Sequence, residues 1–140
     1  MIVYLDTSIL LRRLLGQPKS FAGWGDWTLA ATSELTRVES LRTIDRLRLQ
    51  GKLTDEEVAA SVQGLDEILS RVDEISLGKS VLRKASLSYA TVIGTLDAIH
   101  LASALLWQEN SQPSVVFLTH DIQLGRAAEA AGMKSFGFLG

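Results

Sequence analysis

The stretch IVYLDTSILLRRLLG, residues 2–16, decides the fold class of this chain. Four apolar residues, IVYL at 2–5, predict a buried strand, and the carboxylate of Asp6 follows directly. Residues 7–16 then carry apolar side chains at helical spacing and end at Gly16, two residues before Pro18, which predicts a helix. A short apolar run followed by a helical pattern is the alternation typical of α/β proteins.

The same alternation continues along the chain. Further strands are predicted at TLAAT (28–32), VVFL (115–118), SFGFL (135–139) and, more weakly, EIS (74–76), with helices over 34–49, 55–70, 78–89, 95–108 and 121–131. Thr54 followed by Glu57 predicts a capping box, and Thr95 stands where an N-cap would precede the LDAIHLASALLW run. We therefore predict a three-layer α/β/α domain over 1–140, with a central, mostly parallel sheet of four or five strands.

Composition limits the class of protein further. With 140 residues and 46% hydrophobic content, the chain can bury one substantial core, so we expect one domain. No run approaches the ~20 apolar residues that cross a bilayer, and MIVYLD begins without a charged leader, so we expect a cytoplasmic protein. The absence of cysteine excludes disulfides and thiolate metal sites, and two histidines alone cannot form a structural zinc site. Any metal ion must therefore be held mainly by oxygen.

The formal net charge of -2 is unevenly distributed. Residues 1–52 carry eight basic residues against five acids, and residues 53–78 carry seven acids against one arginine. If a metal ion neutralises four carboxylates, 12 acids remain against 14 basic residues, a balance of about +2. This distribution is compatible with a nucleic-acid partner, and ordinary solvated helix faces are the alternative.

Two acids follow predicted strands. Asp6 comes directly after IVYL, and Asp121 comes after VVFLTH. The carboxyl ends of parallel strands meet at one edge of the sheet, where α/β proteins bind ligands, so both side chains should reach the same crevice. The alternative is that each acid only caps the helix that follows it.

Two further acids lie on predicted helices. Asp97 occupies a first helical turn, where the helix dipole already favours a carboxylate, but its TLDAIHLASA setting indicates a packed helix on which an acid needs a partner. Glu39 lies within SELTRVESLR, and its alternative role is a surface ion pair with Arg42 three residues later. Glu34 competes with it, although a helix-start charge explains Glu34 more simply.

Carboxylates gathered in one crevice repel one another. Two unit charges ~5 Å apart at an effective dielectric constant near 20 cost about 3 kcal/mol. A divalent cation removes this cost, and oxygen ligands without cysteine favour Mg²⁺ or Mn²⁺. Such a site suits metal-assisted phosphodiester cleavage.

Four segments resemble the successive signatures of PIN-domain ribonucleases, especially the VapC toxins of toxin–antitoxin pairs. They are IVYLDTSILLRRLLG, SELTRVESLR, TLDAIHLASAL and VVFLTHD followed by AAEAAG, which together cover essentially the whole chain in order. The resemblance implies that Asp6, Glu39, Asp97 and Asp121 are the catalytic, metal-binding acids. It also implies that Thr7 or Ser8 assists near Asp6 and that Thr119 faces the site.

The resemblance further implies an activity and partners. It implies an Mg²⁺- or Mn²⁺-dependent endoribonuclease toxin that cuts structured RNA such as tRNA or rRNA and is held inactive by a VapB-like antitoxin. We expect a homodimer, because apolar residues occupy much of the circumference of the helix at 34–49. Arg12, Arg13 and Arg42 are the preferred phosphate contacts.

The remaining conspicuous side chains are aromatic or histidine. His100, three residues after Asp97, is interpreted as a packed histidine on a buried helix in preference to a hydrogen-bond donor to the site. His120 should point away from the face that Asp121 uses, and neither histidine is assigned a catalytic role. The chain has three tryptophans, Trp24, Trp27 and Trp107. Their burial in the core or beneath an antitoxin helix is favoured over stacking on RNA bases.

Two other functions remain to be separated from the nuclease. Phosphoaspartate enzymes of the haloacid dehalogenase type also place an aspartate after the first strand, but they carry a second one two residues later, where this chain has Ser8. The non-enzymatic alternative is a PIN-like module that binds RNA or protein without cleavage. A metal-dependent nuclease assay separates these functions.

Overall fold

The IVYL run forms the central strand of a parallel sheet. A computed structural model describes residues 1–137 of the 140-residue chain. Its strands are β1 (Ile2–Leu5), β2 (Leu29–Ser33), β3 (Asp73–Ile75), β4 (Val116–Leu118) and β5 (Lys134–Phe136). Its helices are α1 (Thr7–Leu14), α2 (Leu35–Leu49), α3 (Asp55–Leu69), α4 (Lys79–Ala85), α5 (Thr95–Asn110) and α6 (Ile122–Ala130).

The strand order β3-β2-β1-β4-β5 is that of an open α/β sheet, and every pairing is parallel. Val3 on β1 pairs with Ala30 on one side and with Val116 on the other. Strand β1 is therefore central, with β2 and β3 on one side and β4 and β5 on the other. The predicted α/β class with a parallel five-stranded sheet is confirmed.

Most predicted elements are present, with shifted ends. The capping box is confirmed, since Glu57 N donates to Thr54 Oγ1 at 3.1 Å and Thr54 N donates to Glu57 Oε1 at 3.0 Å. The prediction for Thr95 is wrong by one residue, because Gly94 adopts the extended N-cap conformation and Thr95 begins the helix. Helix α4 ends at Ala85, earlier than predicted. Residues 138 and 139 of the last predicted strand lie outside the described residues.

The two faces of β1 enter different apolar clusters. Tyr4 stacks on Phe117 with ring centroids 5.5 Å apart and packs with residues of α5 and α6. Val3 and Leu5 point to the opposite face, where Trp24 and Trp27 pack against the same cluster. Trp107 is also partly buried against the core, so all three tryptophans pack against apolar clusters, and their contact with RNA or an antitoxin stays a prediction. Within residues 1–137, no helix has the length and apolar character needed to span a membrane.

The crevice for a ligand follows from this topology. The strand that follows β1 in the chain, β2, lies on one side of it, and β4 lies on the other side. The sheet therefore has its topological switch point between β1 and β4. Open α/β sheets bind ligands outside the carboxyl ends of the strands at such a point. The residues that follow Leu5 and Leu118 therefore line the expected site.

Candidate active site

Asp6 is an almost fully buried carboxylate at the end of β1. Its side chain makes no capping bond to α1, so the capping interpretation is wrong for this residue. Instead, Oδ2 accepts hydrogen bonds from Ser8 Oγ at 2.6 Å and from Thr119 Oγ1 at 2.8 Å. Oδ1 lies 3.9 Å from His100 Nε2. Two hydroxyl groups thus fix the orientation of the first predicted acid.

Glu39 reaches from α2 toward the start of α1. The surface pair with Arg42 is wrong, because Arg42 lies 3.5 Å from Asp45. Glu39 Oε1 accepts a hydrogen bond from Thr7 Oγ1 at 2.7 Å and from His100 Nε2 at 2.5 Å. The second predicted acid is therefore bound by two side chains from other elements of the fold.

His100 links this acid to the core. Its ring is fully buried, with Nδ1 2.8 Å from the Tyr4 hydroxyl. Burial alone lowers the pKa of His100, but the Glu39 hydrogen bond and nearby carboxylate charges outweigh it, and the pKa is raised. Burial likewise raises the pKa of Glu39, but the bonds from His100 and Thr7 and the charge of His100 outweigh burial and lower it. Both directions favour an ionised Glu39 beside a protonated His100.

Asp97 lies in the first turn of α5, as predicted, and is half-buried. Within residues 1–137 its carboxylate accepts no hydrogen bond. Burial, followed by the negative charges of Asp6, Asp121 and Glu39, raises the pKa of Asp97 to about 6, although His100 partly offsets the effect. The negative charges of all three other acids therefore disfavour ionisation of Asp97.

Asp121 caps the helix that follows it. Its Oδ1 accepts a hydrogen bond from Leu124 N at 3.0 Å, so the capping interpretation is correct here. Its backbone N–H donates to Thr119 Oγ1 at 3.0 Å, and Thr119 in turn donates to Asp6. One hydroxyl therefore connects the acids that end β1 and precede α6, while the second oxygen of Asp121 is not used by the cap.

The donor set suits a hard divalent ion, although it is not a closed cage. Within residues 1–137, no group of three or more acidic or histidine side chains is arranged to chelate an ion by itself. Mg²⁺ typically keeps several waters and binds through one or two carboxylates together with substrate phosphates, so such a loose arrangement is compatible with it. The charges that raise the pKa of Asp97 are those that a cation would neutralise. Chemistry and electrostatics thus fit the ion.

The predicted substrate contacts have different surroundings. The hydroxyls of Thr7, Ser8 and Thr119 hydrogen-bond to the acids, which makes them orienting groups, and their contact with substrate stays a prediction. Among the arginines, Arg12 donates to Pro18 O at 2.8 Å and Arg13 lies 5.0 Å above the Trp24 ring. Neither these two nor Arg42 contacts the four acids within the described part of the chain.

Three residues at the site were given no role from the sequence. One is His100, for which packing alone was preferred, although it also bonds to Glu39. Tyr4 is buried in the central strand, and a buried tyrosine needs a partner for its hydroxyl, which was the available signal for its bond to His100. His120 is mostly buried. Its ring Nδ1 lies 2.5 Å from Gly137 O, and its backbone N–H donates to Ser8 Oγ. Glu34 is not simply a helix-start charge, because it makes no cap bond and accepts from Leu77 N at 2.7 Å.

A family model and two curated relatives match this chain over most of its length. The model of the PIN domain family matches residues 3–130. Ribonuclease VapC47 of Mycobacterium tuberculosis (strain CDC 1551 / Oshkosh) is 28% identical over 145 residues, which cover 99% of this chain and 94% of the relative. Ribonuclease VapC35 of the same strain is 29% identical over 141 residues, covering 94% of this chain and 93% of the relative.

Solved structures share the fold. FitAcB from Neisseria gonorrhoeae superposes with a TM-score of 0.66 at 21% identity, covering 97% of this chain and 96% of the matched chain. VapBC2 from Rickettsia felis, bound to a DNA fragment from its promoter, superposes with a TM-score of 0.62 at 18% identity, covering 97% and 98%. Since the family model matches most of its length and the same architecture recurs in these structures, the chain belongs to the PIN domain family.

Proposed function

We propose that this protein is a metal-dependent endoribonuclease and the toxin of a type II toxin–antitoxin pair. The observation that carries the proposal is the match of the PIN domain family over residues 3–130, and it is supported by the raised pKa of Asp97, caused by burial and then by the negative charges of Asp6, Asp121 and Glu39. The names of the two ribonuclease relatives support the activity and its place among VapC proteins.

In this proposal, the four acids hold Mg²⁺ or Mn²⁺. When bound, the ion would lower the pKa of an attacking water and stabilise charge on the leaving oxygen of the phosphodiester. The chain supplies the orientation of the acids, through Ser8 and Thr119 on Asp6 and through Thr7 on Glu39. The burial of these groups limits their freedom to reorient before substrate arrives.

The proposed substrate is structured RNA such as tRNA or rRNA, which places the activity in the cytoplasm. The basic excess of residues 1–52 supports RNA as partner. Arg12, Arg13 and Arg42 are proposed phosphate contacts, and Thr7, Ser8 and Thr119, whose hydroxyls hydrogen-bond to the acids, are proposed substrate contacts.

The proposed partner is a VapB-like antitoxin. Support comes from the solved structures of VapBC2 from Rickettsia felis and VapBC-1 from nontypeable Haemophilus influenzae, which share the fold. We also propose a homodimer. On α2, Val38 and Leu49 are exposed, and a groove of about 520 Å³ near the start of α5 is edged by further exposed apolar side chains, namely Leu82, Leu87 and Val92. A second copy would remove this apolar surface from water.

A cleavage assay tests the proposed activity. Purified protein should cut RNA with Mg²⁺ or Mn²⁺ and should not cut it in EDTA. Cleavage that persists in EDTA would reject the metal mechanism, and binding of RNA without cleavage in either condition would favour the non-cleaving module. The toxin assignment is tested separately by co-expression with the gene immediately upstream, whose product should bind the protein and suppress cleavage.

A further inference from the structure

The buried pair of Tyr4 and His100 has no role in the proposed reaction itself, yet His100 hydrogen-bonds to one of the acids, Glu39. We propose that His100, anchored by Tyr4, is a positioning residue that holds Glu39 by Oε1 and leaves Oε2 for the metal ion. This inference rests on the proposed function, because it assigns a task to the ligand set of that same site.

Both hydrogen-bond donors to Glu39 converge on the same oxygen. His100 Nε2 lies 2.5 Å from Oε1 and Thr7 Oγ1 lies 2.7 Å from it. Oε2 accepts no hydrogen bond within residues 1–137. With 19% of its side chain exposed, Glu39 is open to the crevice, whereas His100 is completely buried. The two donors therefore lock the carboxylate from the protein side and leave one oxygen available.

The imidazole ring is itself held at both nitrogens. Nε2 meets Glu39, and Nδ1 lies 2.8 Å from the hydroxyl of Tyr4, which is fully buried. The tyrosine ring is fixed by stacking on Phe117 at 5.5 Å and meets the imidazole edge-on at 5.9 Å. Rotation of the imidazole would break its buried hydrogen bonds, so the orientation of Glu39 is set by the core.

This arrangement joins parts of the fold that are remote in sequence. Tyr4 belongs to β1, Glu39 to α2 and His100 to α5, and 61 residues separate His100 from Glu39. A histidine with only a packing role would be satisfied by Tyr4 and Thr7, whose oxygen lies 3.0 Å from Nε2. The additional bond to a carboxylate at the crevice is the contact expected of a residue that orients a metal ligand. Loss of such contacts typically weakens metal binding or activity by about 10- to 100-fold.

A matched pair of substitutions separates orientation of Glu39 from packing. The side-chain amide in His100→Gln can reach the position of Nε2 and keep the bond to Glu39. The shorter amide in His100→Asn reaches only the position of Nδ1 and keeps the bond to Tyr4. Each variant retains one of the two buried hydrogen bonds, so their melting temperatures in EDTA should fall by similar amounts.

The decisive measurement is the Mn²⁺ dissociation constant of the whole protein, obtained by titration calorimetry. We expect His100→Asn to raise it by about 10- to 100-fold and His100→Gln to raise it by less than about threefold. In a protein that already carries Glu39→Gln, adding His100→Asn should weaken binding no further, because the two changes act on the same contact. RNA cleavage by His100→Asn should recover as Mn²⁺ is increased, with the KM for RNA unchanged.

Equal Mn²⁺ binding by wild type and His100→Asn would overturn the inference, as would equal losses in both His100 variants or additive losses with Glu39→Gln. If His100→Asn does not fold, Tyr4→Phe replaces it. This variant should bind Mn²⁺ several-fold more weakly, and an unchanged dissociation constant would likewise overturn the inference. Failure of the wild type to bind Mn²⁺ or to cleave RNA would reject the proposed function. An active wild type whose variants bind Mn²⁺ with unchanged affinity would reject only the role of His100.

Discussion

The two halves of the carboxylate cluster are built differently. Asp6 and Glu39 each accept two side-chain hydrogen bonds, from Ser8 and Thr119 in one case and from Thr7 and His100 in the other. These two acids form the held half. Asp97 accepts no hydrogen bond within residues 1–137, and Asp121 accepts one from the backbone of α6; these two form the open half.

The two halves contribute differently to ion binding: the held half fixes the positions of carboxylates, and the open half supplies the electrostatic driving force. In the held half, donors from α1, α5 and the segment after β4 satisfy part of the negative charge and fix its position. In the open half, burial and neighbouring carboxylates raise the pKa of Asp97 to about 6, so its ionised form is disfavoured in the folded protein. We infer that the held half defines where an ion binds. Ion binding should relieve charge repulsion mainly in the open half.

The largest expected effect comes from removing an acid of either half. Asp6→Asn and Asp121→Asn should each reduce Mn²⁺-dependent cleavage by at least about 100-fold, because each removes a ligand rather than a group that orients one. Glu34→Gln is the matched control, since Glu34 is an exposed acid bonded to the backbone of Leu77, and it should change the rate less than about twofold. Similar losses in all three variants, measured as kcat/KM on one RNA, would show that the wrong acids were chosen.

A smaller effect should follow from loosening the held half. Thr119→Val keeps the shape of the side chain but removes the donor to Asp6 and the acceptor for the Asp121 N–H. We expect a 10- to 100-fold weaker Mn²⁺ affinity and a loss of about 1–3 kcal/mol in the free energy of unfolding. Thr28→Val is the control, because its exposed hydroxyl bonds only Met1 O. A Thr119→Val protein that binds Mn²⁺ normally would mean that the held half is not needed for ion binding.

The open half should make ion binding depend on pH. Because the pKa of Asp97 is raised to about 6, the metal-free side chain is mostly ionised at pH 7 and mostly protonated at pH 5. Protons then compete with the ion, and Mn²⁺ affinity should fall by about tenfold between pH 7 and pH 5. Calorimetric titrations at both pH values on wild type and Asp97→Asn measure this. The loss should be smaller in the variant, and an equal loss would assign the titration to another group.

Sequence patterns predicted the fold more completely than the site. The order of strands and helices follows from local apolar periodicity, and β1 carries that signal in four consecutive residues. The acids could also be selected, because Asp6 and Asp121 follow strands whose carboxyl ends must share an edge. Which of them caps a helix could not be predicted, since both precede a helix in the same way and only the tertiary position of Thr119 and Ser8 distinguishes them.

The bonds between distant elements were beyond sequence reasoning. Glu39 has an arginine at helical spacing, which favours a surface pair, but the tertiary fold brings His100 of α5 to it instead. The same spacing that relates His100 to Asp97 gives no information on Tyr4, which lies 96 residues from His100. These contacts depend on how layers pack, and local patterns do not specify that.

Thermal melts of wild type and Asp97→Asn, in EDTA and across a Mn²⁺ titration, test most directly whether the acids form a divalent metal site. A carboxyl whose pKa is raised by folding destabilises the native state as pH rises from about 4 through about 6, so at pH 7 its neutralisation should help. In EDTA, Asp97→Asn should therefore melt at the same or a higher temperature than wild type, by on the order of 1 kcal/mol in unfolding free energy. Millimolar Mn²⁺ should reverse the order, because it stabilises only the native state to which it binds. If Asp97→Asn gains as much from Mn²⁺ as wild type does, Asp97 is not a ligand and the account of the site is contradicted.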